Sequence, residues 1–122
     1  DWSSDVCSSD LAVPALLREG AIVRAQIQQR TCTNLGVLRT AARQAPACDV
    51  LPVEGGWSAV IRVPATRGEE RLVLDLLAAE RVLVHPGDFF DFRSEAYIIV
   101  SLLPDERLFS DAIERTLRFV NC

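Results

Sequence analysis

The 122-residue sequence predicts an α/β protein of the α+β kind, a two-layer sandwich in which a small sheet of three to four strands is covered by helices. Three observations predict it. A long N-terminal stretch repeats apolar residues at helical spacing, the middle holds short β-branched runs bounded by Pro and Gly, and the C-terminal end carries a strongly amphipathic stripe. Elements of both kinds must bury their apolar faces, and two layers around one core allow this. The length fits one domain.

The first element is a long helix from Val13 to about Ala45. Its apolar positions recur by threes, fours, sevens and eights, as expected of one helix face: Leu16, Val23, Ile27, Leu35, Leu38 and Ala42. We expect any bend to lie at Gly20 or Gly36. Pro46 ends the helix, since a proline disfavours helical geometry in the residue before it.

A strand and a second helix follow. Residues 57–63 alternate in the way of a strand with one buried face, and Pro64 closes it. The next residues, Thr66 to Glu69, have the S/T-x-x-E form of a capping box, in which two side chains satisfy the free backbone donors of a helix start. Paired apolar residues one turn apart then predict a helix from about Gly68 to Glu80.

The last elements are two strands and a helix. Residues 81–85 form a short apolar run that the turn dipeptide Pro86-Gly87 stops. Residues 96–103 are apolar almost throughout, which is typical of a central strand covered on both faces. Pro104 and two carboxylates then favour a helix start. The terminal helix carries its apolar stripe on Leu108, Phe109, Ala112, Ile113, Leu117 and Val120.

The opening stretch, DWSSDVCSSDL, differs from the rest of the chain. Residues 1–11 are polar and acidic without periodicity, and they lack the basic and apolar regions of a secretory signal. An ordinary solvated tail is one interpretation. The other is that the string is a sequencing adapter read in frame, because a reverse translation reproduces such an adapter over all eleven residues. On that hypothesis 1–11 is a non-native, disordered leader and the domain comprises 12–122.

Composition limits the partners. The net charge of −4 provides no general attraction to nucleic acid or anionic membranes, and no apolar run approaches the roughly 20 residues that a membrane-spanning helix needs. The four cysteines, at positions 7, 32, 48 and 122, have no CxxC spacing, and His85 is the single histidine. We therefore expect no zinc site, reduced thiols and a cytoplasmic location.

Two stretches point to a site. EGGW, Glu54 to Trp57, places two glycines before a large aromatic residue, and HPGDFFDF, His85 to Phe92, places a Pro-Gly turn before three phenylalanines. Glycine lets the backbone approach a ligand or another chain closely, and loop aromatics beside it can wall a pocket. Ordinary packing between the layers is an equally acceptable interpretation of Trp57 and the phenylalanines.

From Ala12 to the end, the order of EGGWSAVIRVP, a helix, RVLVHPGDFF, AYIIVSLL and a terminal helix resembles the C-terminal small domain of fold-type I (class I/II) aminotransferases. The resemblance implies pyridoxal 5'-phosphate, held mainly by a large domain outside this chain, a small-molecule amino donor and acceptor, and a homodimer. It also implies that substrate-facing positions lie at Gly55, Gly56, Trp57, Pro86, Gly87, Phe89 and Phe90.

Two features depart from that family. Its cofactor is bound through a lysine, and this chain has none among its thirteen basic residues, so the resemblance implies no catalytic residue here and an inactive fragment. Its last strand commonly carries an arginine that grips the substrate carboxylate with a planar fork. In this chain Ile99 occupies that position. Arg93 and Arg62 are the arginines nearest in sequence that could replace it.

A second hypothesis concerns residues 49–122. Their order of strands and helices also resembles small regulatory domains of a ferredoxin-like kind, which bind amino acids at dimer edges without catalysis. The long first helix, together with the GGW and PG-x-x-F stretches, favours the aminotransferase interpretation. A third hypothesis is that the chain has no function by itself, because a domain cut from its partner exposes apolar surface.

Overall fold

A computed structural model describes residues 8–92 and 96–121. It contains four α-helices, four strands and one 3₁₀ turn: α1 (Ser8–Glu19), α2 (Ala21–Ala42), β1 (Asp49–Val50), β2 (Ser58–Arg62), α3 (Glu69–Glu80), β3 (His85–Pro86), the 3₁₀ turn (Gly87–Phe90), β4 (Tyr97–Ser101) and α4 (Glu106–Asn121). The predicted α+β class is confirmed. Of the leader expected at 1–11, residues 1–7 lie outside the described residues. Helix α1 begins at Ser8.

The sheet is antiparallel throughout, with the strand order β1-β2-β4-β3. Strands β2 and β4 form its centre, with Ser58 paired to Ser101 and Arg62 paired to Tyr97. On the other side of β4, Pro86 pairs with Ile98. The prediction that β4 is a central strand is confirmed.

Helices α2, α3 and α4 pack on one face of this sheet. Side chains alternate along a strand, so Ala59 and Ile61 of β2 share a face with Ile98 and Val100 of β4. These residues form one buried cluster with the apolar faces of the helices: Leu38, Leu72, Val73, Leu76, Phe109, Ile113 and Leu117. Ile99 points the other way and is still only 3% exposed, so β4 is buried on both faces as predicted.

The long N-terminal helix is broken at Gly20 into α1 and α2, and it continues unbroken through Gly36. The prediction of a single buried face is wrong for its first half, because Leu16, Val23 and Ile27 are exposed and burial begins at Thr31. The 22 residues of α2 extend about 33 Å, whereas five-residue strands such as β4 span only about 17 Å. The helix therefore extends beyond the sheet that covers its C-terminal half.

Two local predictions also need correction. Helix α3 begins at Glu69 after Gly68, whose extended backbone precedes the helix with no side-chain cap, so Thr66 does not form the predicted capping box. The predicted strand at 81–85 is reduced to β3, at His85–Pro86. Arg81 instead ends α3 in a left-handed conformation, at φ 57°. Val82 and Val84 enter the core from irregular backbone.

Candidate functional site

The predicted site residues fall into two groups at opposite ends of β4. Trp57 lies beside the C-terminal end of β4, where the Leu102 N–H donates to the Trp57 carbonyl at 2.7 Å. Pro86 lies beside Ile98, and the chain then continues toward the start of β4. Four residues of extended strand separate these points by roughly 13 Å. The structure does not bring the GGW stretch and the Pro-Gly-Phe stretch into one cluster.

The GGW stretch is a surface turn. No atom lies within 4 Å of a Cβ placed on Gly55 or Gly56, so neither glycine is required by a close approach. Gly56 has φ 78°, a left-handed conformation that glycine adopts without strain and other residues rarely adopt. Trp57 is 60% exposed. Its side chain therefore lies outside the core between the two layers.

The Pro-Gly-Phe stretch forms an exposed aromatic cluster, which we define as His85, Phe89 and Phe90. The His85 ring centroid lies 6.3 Å from that of Phe89 and 6.4 Å from that of Phe90. Both phenylalanines are exposed, because the 3₁₀ turn directs them away from the core. His85 pairs in register with Ile99, so the aromatic cluster begins directly beside Ile99.

Ile99 lies on the face of the sheet opposite the helices, between Val60 of β2 and His85 of β3. Arg62 follows Val60 by two residues and therefore stands on the same face. Its guanidinium donates to the Asp49 carboxylate at 3.0 Å, in a pair in which both side chains are more than half exposed. Such a surface pair is weak and leaves the guanidinium open to a competing carboxylate. Arg93, the other arginine predicted here, lies outside the described residues.

Glu69 is a residue of this region that sequence reasoning assigned to the wrong role. Its side chain is 5% exposed and accepts three backbone N–H bonds: from Asp88 at 2.9 Å, Ala96 at 2.8 Å and Tyr97 at 2.8 Å. The signal was present in the sequence. Residues 69, 72, 73 and 76 follow the spacing of one helix face, which places this glutamate in line with the buried leucines and valine of α3.

Gly87 fits against this glutamate. A Cβ placed on Gly87 would stand 3.0 Å from Oε1 of Glu69 and 2.9 Å from the Cβ of Tyr97. The close approach at this glycine, which we expected toward a ligand or another chain, is therefore made to the chain itself. The Phe92 ring packs against that of Tyr97, with centroids 4.7 Å apart and planes tilted by 33°, which adds a contact between a residue just after the 3₁₀ turn and the start of β4.

Other parts of the described structure add little to this site. A groove of about 800 Å³ lies between α2 and α4, lined by residues such as Val37, Ala41 and Leu117, and it includes none of the predicted site residues. Within residues 8–92 and 96–121, no three His, Cys, Asp or Glu side chains are grouped to hold a metal ion. None of the helices described is long and apolar enough to cross a membrane.

The donor set of this chain does not fit pyridoxal phosphate by itself. The cofactor is held through a primary amine, and the sequence contains no lysine. The Glu69 carboxylate points to backbone donors, from which it accepts three hydrogen bonds. Among the described residues, the region presents the exposed aromatic cluster and the exposed guanidinium of Arg62.

Solved aminotransferase structures contain the same fold. The α-aminoadipate aminotransferase LysN from Thermus thermophilus matches with TM-score 0.71 and 20% identity, over 91% of this chain and 30% of its own. YbdL from Escherichia coli, described as having a methionine aminotransferase function, matches with TM-score 0.71 and 18% identity, over 89% and 29%. An aromatic aminotransferase from Pyrococcus horikoshii matches with TM-score 0.64 and 20% identity, over 83% and 26%.

No protein-family model and no curated protein matches the chain. The chain spans 26% to 30% of the length of the three structures above, well under half of any of them. Identities near 20% establish likeness of fold and nothing finer. This chain therefore shares its fold with part of the aminotransferases.

Proposed function

We propose that residues 12–122 are the C-terminal small domain of a pyridoxal-phosphate-dependent aminotransferase of fold type I, which transfers an amino group between an amino donor and a keto acid or other carbonyl acceptor. The observation that carries the proposal is the match of 91% of the chain to part of an aminotransferase at TM-score 0.71. The order of the GGW turn, the Pro-Gly-Phe turn, the central strand and the terminal helix supports it.

On this proposal the chain supplies the substrate side of the site. The aromatic cluster would close over the substrate beside Ile99, while Gly55, Gly56 and Trp57 would border the entrance from the other end of β4. The cofactor and the catalytic lysine would come from a large domain of the same polypeptide. The 122 residues alone are then inactive. The complete enzyme would be a cytoplasmic homodimer.

The substrate would differ from common α-amino acids at its carboxylate end. Ile99 offers methyl groups where a guanidinium would form two parallel charge-assisted hydrogen bonds. Arg62 stands on the same face, held only by an exposed pair with Asp49. A carboxylate displaced toward the C-terminal end of β2 would meet Arg62, and an uncharged end would lie over Val60 and the buried Ile99.

The genomic sequence upstream of codon 12 tests the proposal. An upstream region that encodes a cofactor-binding domain with a lysine after a strand would support it. A different catalytic domain, or a start codon at this point, would support the regulatory amino-acid-binding domain instead. The same record shows whether adapter sequence joins coding sequence at residues 10–13.

Absorbance spectroscopy tests the inactivity of the fragment. Pyridoxal phosphate added to the purified 122-residue chain is expected to keep the spectrum of the free cofactor, because the chain has no lysine. A saturable new band that survives gel filtration would contradict the assignment of the cofactor site to the missing domain.

A further inference from the structure

Glu69 connects both ends of one loop to helix α3. Its Oε2 accepts from the N–H of Asp88, at the start of residues 87–97, and its Oε1 accepts from the N–H groups of Ala96 and Tyr97, at their end. We propose that Glu69 is a positioning residue, an internal anion whose carboxylate holds Asp88 next to Ala96 and Tyr97 and so fixes Phe89 and Phe90 beside His85, the register partner of Ile99. The importance of that position for a substrate rests on the function proposed above.

The geometry requires a carboxylate in particular. Three backbone donors converge on two oxygens, both of which must accept, and an ionised carboxylate is the side-chain group that only accepts. Hydrogen bonds to an ionised acceptor are about twice as strong as neutral ones. Among the described residues, the partners of Glu69 are these N–H groups and not an arginine. The carboxylate charge thus interacts with the backbone N–H groups of Asp88, Ala96 and Tyr97.

Backbone strain at Ala96 indicates that this residue is held in place by its surroundings. Ala96 has φ 115°, a conformation that side-chain-bearing residues rarely adopt and that persists only where the surroundings fix it. Its N–H donates to Glu69 at 2.8 Å, and its carbonyl accepts from the N–H of Val63 at 2.8 Å. Glu69 therefore supplies one of the two bonds that fix the strained residue.

The same helix links the loop to the core. Leu72 and Leu76 follow Glu69 on the buried face of α3, so the carboxylate is anchored at the end of a packed stripe. Gly87 leaves the space that the carboxylate occupies, since a Cβ there would stand 3.0 Å and 3.2 Å from its two oxygens. The aromatic cluster thus extends from a turn whose backbone is bound to a rigid element.

Amide hydrogen exchange of the 122-residue chain, followed by NMR, tests the inference. In Glu69→Ala the amides of Asp88, Ala96 and Tyr97 should exchange at least about tenfold faster, the ratio expected for the loss of a buried charge-assisted bond. Core amides such as Ile61 should change far less. Glu70→Ala is the matched control, because Glu70 is the exposed neighbour on the same helix turn and its loss should leave all four amides unchanged.

Chemical rescue separates a carboxylate role from a packing role. Truncation at the Cβ leaves a space that matches acetate, so acetate should restore protection to Asp88, Ala96 and Tyr97 in Glu69→Ala with a saturable dependence. Chloride at equal ionic strength should not. Three results would overturn the proposal. The first is the same protection in Glu69→Ala and the parent chain, the second is a loss of protection in core amides as large as at these three amides, and the third is rescue by chloride as strong as rescue by acetate.

Glu69→Gln keeps the test decisive if the alanine variant does not fold. The glutamine amide has one accepting oxygen. It keeps two of the three hydrogen bonds if that oxygen faces Ala96 and Tyr97, and its NH₂ group then faces Asp88. Asp88 alone should then lose protection, and uniform protection in this variant would contradict the proposal. Neither cofactor nor substrate enters these measurements. A negative result in these exchange measurements would not affect the aminotransferase proposal. An upstream region without a cofactor domain would contradict the aminotransferase proposal and would not affect the result for Glu69.

Discussion

The backbone of Gly87 packs against the side chain of Tyr97. The contact is so close that a Cβ on Gly87 would stand 2.9 Å from the Cβ of Tyr97. Any side chain at position 87 must displace the start of β4 or the 3₁₀ turn. The glycine is therefore required by a close approach within the chain, and its role can be measured without a ligand.

Gly87→Ala should destabilise the fold. Forcing a methyl group into this contact should lower the free energy of unfolding by about 1–3 kcal/mol, as overpacking of a tight site does. Urea unfolding followed by far-UV circular dichroism measures it. Gly55→Ala is the control, since nothing lies within 4 Å of its Cβ, and it should stay within about 0.5 kcal/mol of the parent chain. Equal stability of the two variants would show that the turn can shift without cost.

Asn34 should be the polar residue of α2 on which stability depends most strongly. Its side chain is fully buried, and Nδ2 donates to the carbonyls of Leu102 and Pro104, both at 2.9 Å, joining α2 to the connection between β4 and α4. Asn34→Ala leaves both carbonyls without that donor and should cost about 1–3 kcal/mol. Thermal unfolding measures the loss. Thr33→Ala, at the exposed neighbouring position, should change little, and a comparable loss there would contradict the argument.

The elements that the sequence predicted correctly are those with a strong local pattern. The stripe of α4 and the alternation of β2 depend on residues a few positions apart. Phe109, Ile113 and Leu117 are buried as expected, whereas Leu108, which the sequence pattern assigns to the same stripe, is 67% exposed. The exposure of Leu16 depends instead on where the sheet ends, which no local pattern records. Strand β1 has two residues, too few to show a period.

The site shows the same division. The Pro-Gly pair at 86–87 correctly predicted a turn. The close approach at Gly87, expected toward a ligand or another chain, is instead made to Glu69 and Tyr97 of the same chain. The hydrogen bond from the Ala96 N–H to the Glu69 carboxylate could not be predicted, since the two residues are 27 positions apart. The capping-box motif offered a local interpretation of Thr66 and Glu69, and burial of the carboxylate took precedence over it.

Thiol reactivity should distinguish two cysteines. Burial raises the pKa of the Cys48 thiol above its ordinary value of 9.0, because a buried thiolate loses hydration, whereas Cys32 is exposed on α2. With Cys7 and Cys122 replaced by serine, a chromogenic disulfide reagent at pH 8 should label Cys32 quickly and Cys48 slowly. In Cys48→Ala the slow phase should disappear, and its persistence would contradict the assignment.

The sign of the pH dependence follows from the same shift. The folded state holds the Cys48 proton more tightly than the unfolded chain, so this group contributes stability that is present below the unfolded pKa and lost as the pH rises through the folded pKa. Stability should therefore decline more steeply above pH 9 in the parent chain than in Cys48→Ala. Parallel urea midpoints for the two chains between pH 8 and pH 10 would contradict this.

Ile99→Arg should change what the complete enzyme accepts, if the proposed function is correct. Ile99 lies between Val60 and His85 on the face opposite the helices and is only 3% exposed, so an arginine there would have to extend past its neighbours to bind a carboxylate through two parallel bonds. We expect kcat/KM for common α-amino acids to rise on the order of tenfold or more, the worth of hydrogen bonds to a charged group. Steady-state kinetics with the full-length protein measures it.

Ile99→Leu controls for disturbance of the strand, because it keeps an apolar side chain of equal volume and should leave substrate preference unchanged. Arg62→Gln provides the complementary test, since it removes the guanidinium that stands two residues from Val60 on the same face. If Arg62 holds the carboxylate in place of an arginine at position 99, its loss should raise KM and Ile99→Arg should restore it in the double variant. Unchanged kinetics in Ile99→Arg and Arg62→Gln alike would show that this face of the sheet does not meet the carboxylate.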